Sequence, residues 1–202
     1  MYGLPQTTEV KKQIPKKALF AKFDLKTSQR YAFDADVARI DIVAVVSTKT
    51  LPVLGEGVDV KEFYVLNVQL KRKDYSPKNI ELITKLIPQN MVFALLYENE
   101  VQFAVYHTEL VKSDWQNAEE AILQVQGLNV DAVWENIVVC IGNIILEGKN
   151  TVAEQLKKEK ERQSIQKQIS VLMQKLAKEK QFNKQIEINT EIKTLRKQLL
   201  NL

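Results

Sequence analysis

Apolar and polar residues alternate along two segments near the middle of the chain. The clearest alternation covers residues 62–72, where every second residue from Tyr64 to Leu70 is apolar. Because successive side chains of a strand point to opposite faces, this segment predicts a strand with one face in the core. Residues 38–47 (ARIDIVAVVS) carry β-branched residues in both alternating sets, which predicts a strand buried on both faces.

Helix signals and turn signals surround these strands. Ser76 followed by Pro77 is typical of a helix start, and Pro88 is expected to end that helix. The segments 91–97 and 101–107 are apolar and flank Glu98-Asn99-Glu100, which predicts a hairpin. A further helix is expected from the Asn129 cap to about Leu146.

The order of these elements predicts the fold class. A short helix is expected at 27–33, and residues 1–23 are expected to form an extended arm, since two prolines interrupt them. Two strands, a helix, two strands and then helices favour an α+β fold, with a mostly antiparallel sheet covered by helices on one face. We expect this body to span residues 1–150 and a basic amphipathic helical tail to span 151–202.

The tail repeats apolar residues at the spacing of a helical seam. Two sets have the four–three–four spacing of a coiled coil, and they are Ile165, Ile169, Leu172 and Leu176, and Ile188, Ile192, Leu195 and Leu199. The sets are out of register, because extending the first set predicts Ile186 where the second set begins at Ile188. This offset predicts a turn near Lys180–Asn183 and a helical hairpin, and a continuous coiled coil with a second chain is the alternative. We expect these eight residues to form a partner-helix face, through which the tail associates with itself or with a partner protein.

Charge is distributed unevenly along the chain, whose net charge is +4. Residues 151–202 hold twelve Lys and Arg against six Asp and Glu, and residues 1–30 hold seven against two. Basic ends of this kind favour contact with nucleic-acid phosphates. Lysine-rich surfaces that keep helices soluble are the alternative, because no aromatic or arginine cluster accompanies the charge.

Composition limits the class of protein. An apolar fraction of 45% excludes wholesale disorder. The longest apolar run lies within Ile137–Leu146, well short of the ~20 residues of a membrane helix, and lysines interrupt the first twenty residues where a signal peptide would be apolar. The lone Cys140 cannot form an intrachain disulfide, which suits a reducing cytosol. We therefore expect a cytoplasmic protein without a membrane partner.

Asp41 and the triplet Gln69-Leu70-Lys71 are the residues with the clearest catalytic potential. Metal-dependent nucleases of the restriction type place an acidic residue on one strand and a Glu- or Gln-x-Lys triplet on the next. The oxygen ligands hold a divalent cation and the lysine steadies the attacking water. Gln69 is a weaker ligand than a carboxylate, and an outward polar strand face explains the same residues. A divergent metal-dependent nuclease at Asp41, Gln69 and Lys71 is therefore kept as an alternative hypothesis.

Other chemically reactive residues are isolated in the sequence. His107 is expected to make a hydrogen bond at a strand end, and Cys140 is expected to be a small buried residue. One His and one Cys cannot build a zinc site without carboxylates, and Gly55-Glu56-Gly57 lacks the third glycine of a dinucleotide loop. We therefore expect no cofactor, no metal and no catalytic residue, and an enzyme is the less favoured class.

Four segments resemble a bacterial family catalogued as domain of unknown function 4391. They are LPQTTEVKKQIPKKALF (Leu4–Phe20), YVLNVQLK (Tyr64–Lys71), ITKLIPQNMVFALLYENEVQFAVYH (Ile83–His107) and KEKQFNKQIEINTEIKTLRKQL (Lys178–Leu199). Members of that family often have an acidic residue where this chain has Gln69. They tend to be encoded among restriction–modification and helicase genes, so the resemblance implies an accessory role in DNA-directed defence.

These observations lead to three hypotheses. The favoured one is a non-catalytic interaction or accessory protein, in the setting of a bacterial restriction- or defence-type complex that acts on DNA. The second is a nucleic-acid-binding accessory that uses the basic N-terminal segment and the tail. The third is the divergent metal-dependent nuclease.

Overall fold

The computed structural model describes residues 1–107, 109–145 and 151–200, apart from the side chain of Leu86. The chain divides into two compact units, Met1–Ile144 and Ile145–Leu202. The predicted boundary at residue 150, like the predicted end of a helix at Leu146, lies outside the described residues. Each unit is described by itself below, the first as the body and the second as the tail.

The described part of the body contains six strands and four α-helices. In chain order they are β1 (Glu9–Gln13), α1 (Lys16–Phe23), α2 (Thr27–Asp36), β2 (Val37–Ser47), β3 (Glu62–Leu70), α3 (Pro77–Leu86), β4 (Asn90–Tyr97), β5 (Glu100–Tyr106), β6 (Leu110–Asn117) and α4 (Val130–Gly142).

The strands form one sheet in the order β1-β2-β3-β4-β5-β6. Neighbours are antiparallel except β3 and β4, which run parallel. Parallel neighbours require a crossover connection, and α3 supplies it between these two strands. The predicted α+β class and the mostly antiparallel sheet are confirmed.

One face of the sheet packs against α1, α2 and α3. The alternate apolar residues of β3 lie in this core, as the sequence predicts. The fully buried members of the cluster come from four strands and all three helices, and they are Leu19, Phe33, Val37, Ile40, Leu66, Val68, Ile80, Ile83, Phe93, Leu95 and Ala104.

The opposite face of the sheet is covered by α4. Phe63 and Val65 point away from the first core and are fully buried, and the ring of Phe63 lies 5.5 Å from that of Trp134 on α4. From the sequence, helices were expected on one face only. The structure adds α4 on the second face, because β3 carries large apolar side chains on both sides and each side must be shielded from water.

The N-terminal segment forms a strand and a helix instead of the expected extended arm. β1 pairs antiparallel with β2 at one edge of the sheet, and α1 follows it. Pro15 does not keep the chain extended past itself, because it is the residue that precedes the first turn of α1. Leu19 then anchors α1, since its side chain is fully buried in the core.

The ends of the predicted helices follow the expected signals. The Asn129 side chain accepts a hydrogen bond of 2.8 Å from the backbone N–H of Ala132, so it caps α4. α3 begins at Pro77 and ends two residues before Pro88. α4 is shorter than predicted, because Asn143 adopts the left-handed conformation that ends helices, with φ of 47°.

The tail contains α5 (Val152–Lys178) and α6 (Phe182–Leu200), joined by three residues. The turn begins at Glu179, next to the predicted position. All eight predicted seam residues pack in one cluster, with Ile165, Ile169 and Ile192 buried and the other five partly buried. The predicted helical pair at the C-terminal end is therefore confirmed.

A buried carboxylate ties the end of α2 to the start of α3. The carboxylate of Asp36 accepts hydrogen bonds from the backbone N–H of Ser76 at 2.8 Å, from the side-chain amide of Asn79 at 2.7 Å and from the guanidinium of Arg72. Burial raises the pKa of Asp36, but these three donors outweigh it and hold the pKa below its usual value.

Replacing Leu66 with alanine should lower the free energy of unfolding by about 2–5 kcal/mol, because the truncation leaves a cavity between β3 and the helices. Chemical denaturation measures this value. Lys71→Ala is the control and should change it by less than about 0.5 kcal/mol, since the Lys71 side chain is exposed. Equal losses in the two variants would contradict the placement of β3 in the core.

Replacing Asp36 with asparagine should cost about 1–3 kcal/mol near neutral pH, because the buried donors lose a charged acceptor. The folded-state pKa of Asp36 is below the ordinary value of about 3.9, so its contribution is present above about pH 4 and is lost as the pH falls below that. The difference between the two proteins should therefore shrink on acidification. Asp24→Asn, at an exposed position, should leave the unfolding free energy near neutral pH almost unchanged.

Candidate functional site

Asp41 and Gln69 lie on neighbouring strands and on the same face of the sheet. Asp41 pairs with Asn67 and Gln69 pairs with Arg39, so the two residues are diagonal neighbours across β2 and β3. Their expected proximity is therefore present. However, the Nε of Arg39 lies 2.6 Å from Oδ2 of Asp41, so this carboxylate is already neutralised by a cation.

Lys71 follows the last residue of β3 and is exposed. Its backbone N–H donates a hydrogen bond of 2.8 Å to the carbonyl of Asp36, which fixes the chain at this point. Within the described residues, no group of three or more His, Cys, Asp or Glu side chains could hold a metal ion. A divalent cation at Asp41 would have to displace the guanidinium of Arg39.

His107 and Cys140 differ from their expected environments. Nδ1 of His107 is buried and makes no hydrogen bond in the described part of the chain, so the expected bond is not made at this atom. Cys140 is exposed, although it was expected to be buried. It lies on α4, where it borders a surface hollow together with Ile137 and Ile141, so its apolar neighbours do not enclose it.

A cleft at one end of the sheet contains His107. One part has a volume of about 520 Å³ and includes Lys61, Lys85 and Asn90 in its lining, and an adjoining part of about 300 Å³ is lined in part by Trp134. Both cationic and acidic side chains border it. Nδ1 of His107 is buried and has no hydrogen-bond partner among the described residues, and the lining of mixed charge does not favour one class of ligand.

The loop that borders this cleft is held by Asp131 at the start of α4. The Asp131 carboxylate accepts hydrogen bonds from the backbone N–H groups of Val58, Asp59 and Val60. Burial alone would raise the pKa of Asp131. The three backbone donors lower this pKa by more than burial raises it, so the pKa is below its usual value. Gly57 allows the tight loop, because a Cβ there would lie 2.2 Å from the Val60 carbonyl oxygen. Asp131 therefore has a structural role.

Exposed cations lie on β1 and α1, and we call them, together with Arg30 on α2, the basic surface. Lys11, Lys12 and Lys17 are exposed, and none of them forms an ion pair within the described residues. Arg30 lies over the ring of Phe20 at 6.0 Å, and Tyr31 is exposed beside it in sequence. These cations are candidates for phosphate contact.

The tail presents a second stripe with heptad spacing besides its seam, and half of this stripe is apolar. Its residues recur along α6 at intervals of four, three, four, three and four, and they are Phe182, Ile186, Asn189, Lys193, Arg196 and Leu200. The last four directly follow seam residues, and the first two follow Gln181 and Gln185, where the same spacing extends the seam. Three of them are large, apolar and exposed, with 73% exposure for Phe182, 50% for Ile186 and 86% for Leu200. This heptad spacing is readable in the sequence, but its significance depends on knowing which stripe α5 occupies.

The corresponding side of α5 continues this surface. Met173 directly follows the seam residue Leu172 and is 49% exposed, and its sulfur lies 4.0 Å from a guanidinium nitrogen of Arg196. Met173 and the second stripe of α6 therefore lie on one side of the hairpin. We call this surface the cationic flank and define it by Met173, Phe182, Ile186, Lys193, Arg196 and Leu200.

The other side of the hairpin, which we call the mixed flank, has a different charge pattern. It consists of residues that directly precede seam residues, among them Val171, Lys175, Glu187 and Glu191, and of Lys184, which precedes Gln185, where the same spacing extends the seam. The cationic flank contains Lys193 and Arg196 and no acidic residue, whereas the mixed flank contains both signs. The two sides therefore differ in electrostatic potential.

No described helix has the length and apolar character needed to cross a membrane.

Comparison with known proteins identifies a family for this chain. No curated protein and no solved structure matches the chain. The family model described as "Domain of unknown function (DUF4391)" matches residues 2–199, in agreement with the resemblance of the four segments, and the chain therefore belongs to this family.

Proposed function

We propose that this chain is a non-catalytic interaction protein and that its helical hairpin binds a helix of a partner protein. The observation that carries the proposal is the second heptad stripe of α6, whose large apolar residues are exposed. A helix with two such stripes is typical of bundles of three or more helices, in which each stripe faces a different neighbour. A DNA-directed defence complex is the setting that the family resemblance implies.

The expected strength of the interaction follows from the size of this stripe. Full burial of a Phe, Ile, Leu or Met side chain contributes about 1.5–3 kcal/mol. Four such residues on the cationic flank are already partly covered, so their gross contribution is roughly 4–8 kcal/mol. Association itself costs about 4–15 kcal/mol, so the apolar contacts alone offset this cost at best, and binding needs a further favourable contribution.

A second candidate function is nucleic-acid binding through the basic surface of β1, α1 and α2. The observation in its favour is that Lys11, Lys12 and Lys17 are exposed and form no ion pair within the described residues. Phosphate contacts of this type are independent of base sequence and weaken with salt. The nuclease hypothesis has less support, because Arg39 occupies the carboxylate of Asp41.

Met173→Glu should abolish capture of a partner protein by the tagged full-length chain in its own cell, because it places a charge in the apolar stripe. Val171→Glu is the matched control and should leave capture unchanged, since Val171 is 45% exposed on the same helix but lies on the mixed flank. Quantitative mass spectrometry of the captured proteins measures both. A partner lost equally from both variants, or from neither, would contradict docking on the cationic flank.

Incubation with single- or double-stranded DNA and Mg²⁺ or Mn²⁺ should give no cleavage. Cleavage that disappears in both Asp41→Ala and Lys71→Ala would establish the nuclease hypothesis instead.

Retention of the chain on the same DNA tests the second candidate function. Retention on DNA that falls with salt and is reduced in a Lys11→Glu, Lys12→Glu, Lys17→Glu variant would establish binding through the basic surface.

A further inference from the structure

We propose that the partner of the cationic flank is an acidic amphipathic helix from a different protein. This inference rests on the proposed function, because it specifies the chemistry of the helix that binds the same hairpin. Three observations lead to it: the shape of the apolar stripe, the sign of the charges beside it, and the consequence of bringing two copies of that surface together.

The apolar residues of the flank have the arrangement that one additional helix requires. Phe182 and Ile186 are one helical turn apart near the start of α6, and Leu200 lies at its other end. Met173 on α5 borders the same side, as its contact with Arg196 shows. A straight helix lying along the groove between α5 and α6 can therefore contact apolar side chains near both ends of α6.

The charges beside this stripe select the sign of the partner. Lys193 and Arg196 lie within the stripe, between the apolar residues at its two ends. Glu187 and Glu191 directly precede seam residues and lie on the mixed flank, so they do not neutralise these cations from the same side. Positions that flank a helical interface determine partner choice through opposite charges. Acidic side chains on the incoming helix complement Lys193 and Arg196.

A second copy of the chain is a poor occupant of this surface. A symmetric dimer places the same patch of each copy against the other, so two sets of Lys193 and Arg196 would meet. Residues 151–202 also carry twelve cations against six anions, which adds long-range repulsion. A nucleic-acid backbone would match the charge, but it offers no apolar surface for Phe182, Ile186 and Leu200. An acidic amphipathic helix satisfies both requirements.

Binding of a designed peptide to the full-length chain tests the proposal. The probe is a fluorescein-labelled helix of about four heptads, with leucine at the a and d positions and glutamate at e and g, so that its charge opposes self-pairing. The comparison peptide has lysine in place of glutamate. Fluorescence anisotropy should show binding of the acidic peptide and none of the basic peptide. Absence of binding by the acidic peptide would overturn the proposal.

Charge reversal on the two flanks locates the site. Lys193→Glu with Arg196→Glu should weaken binding of the acidic peptide by about tenfold or more and should confer binding of the basic peptide. Lys175→Glu with Lys184→Glu makes the same change in net charge on the mixed flank and should preserve the original preference. A variant that merely misfolds cannot gain affinity for the basic peptide. Equal losses in the two double variants would contradict a site on the cationic flank.

The proposed function and this inference fail in different ways. If a cellular partner depends on Met173 but not on Val171, while the acidic peptide does not bind, the hairpin docks a helix of other chemistry and only the inference is wrong. If capture of the cellular partner is insensitive to Met173, the proposed function is wrong, whatever the peptides do.

Discussion

The burial of β3 on both faces is the constraint on which the body depends. Phe63 and Val65 point to one side and Leu66 and Val68 to the other, and all four are fully buried. Such a strand needs a covering layer on each side. The helices α1, α2 and α3 form one layer and α4 forms the other. The parallel pairing with β4 follows from the same arrangement, because α3 must cross one face of the sheet between the two strands.

The central strands and the capped helices were predictable because their signals are local. The alternation in β3 and the side-chain cap of Asn129 can be read from a few consecutive residues. The edge strands β1 and β6 were not predicted, since their sequences, EVKKQ and LVKSDWQN, contain mostly polar residues that face water. Their strand conformation is set by pairing with β2 and β5, which a local pattern does not encode.

The sequence predicted some features of the candidate sites and missed others. The hairpin followed from the two-residue offset between the seams, because that offset excludes a single register along the tail. The proximity of Asp41 and Gln69 also followed from neighbouring strands. The ion pair between Asp41 and Arg39 was missed, although residues two apart in a strand share a face. The second stripe of α6 was missed because it can be distinguished from the seam only when the stripe that α5 covers is known.

Three carboxylates of the body are held by fixed partners. The carboxylates of Asp36 and Asp131 each accept backbone N–H groups, and the carboxylate of Asp41 is paired with a guanidinium. Charged groups held in this way stabilise loops and strand faces and have little capacity for chemistry with a ligand.

The hairpin, in contrast, exposes apolar side chains and cations. A single seam leaves two further sides of each helix in water, and a two-helix pair of this length is only marginally stable in isolation. Large apolar side chains retained on one of those sides, with cations and no anions between them, therefore increase exposure without stabilising the pair itself. The third helix of negative charge that we propose would bury the same residues, neutralise the same cations and stabilise the hairpin.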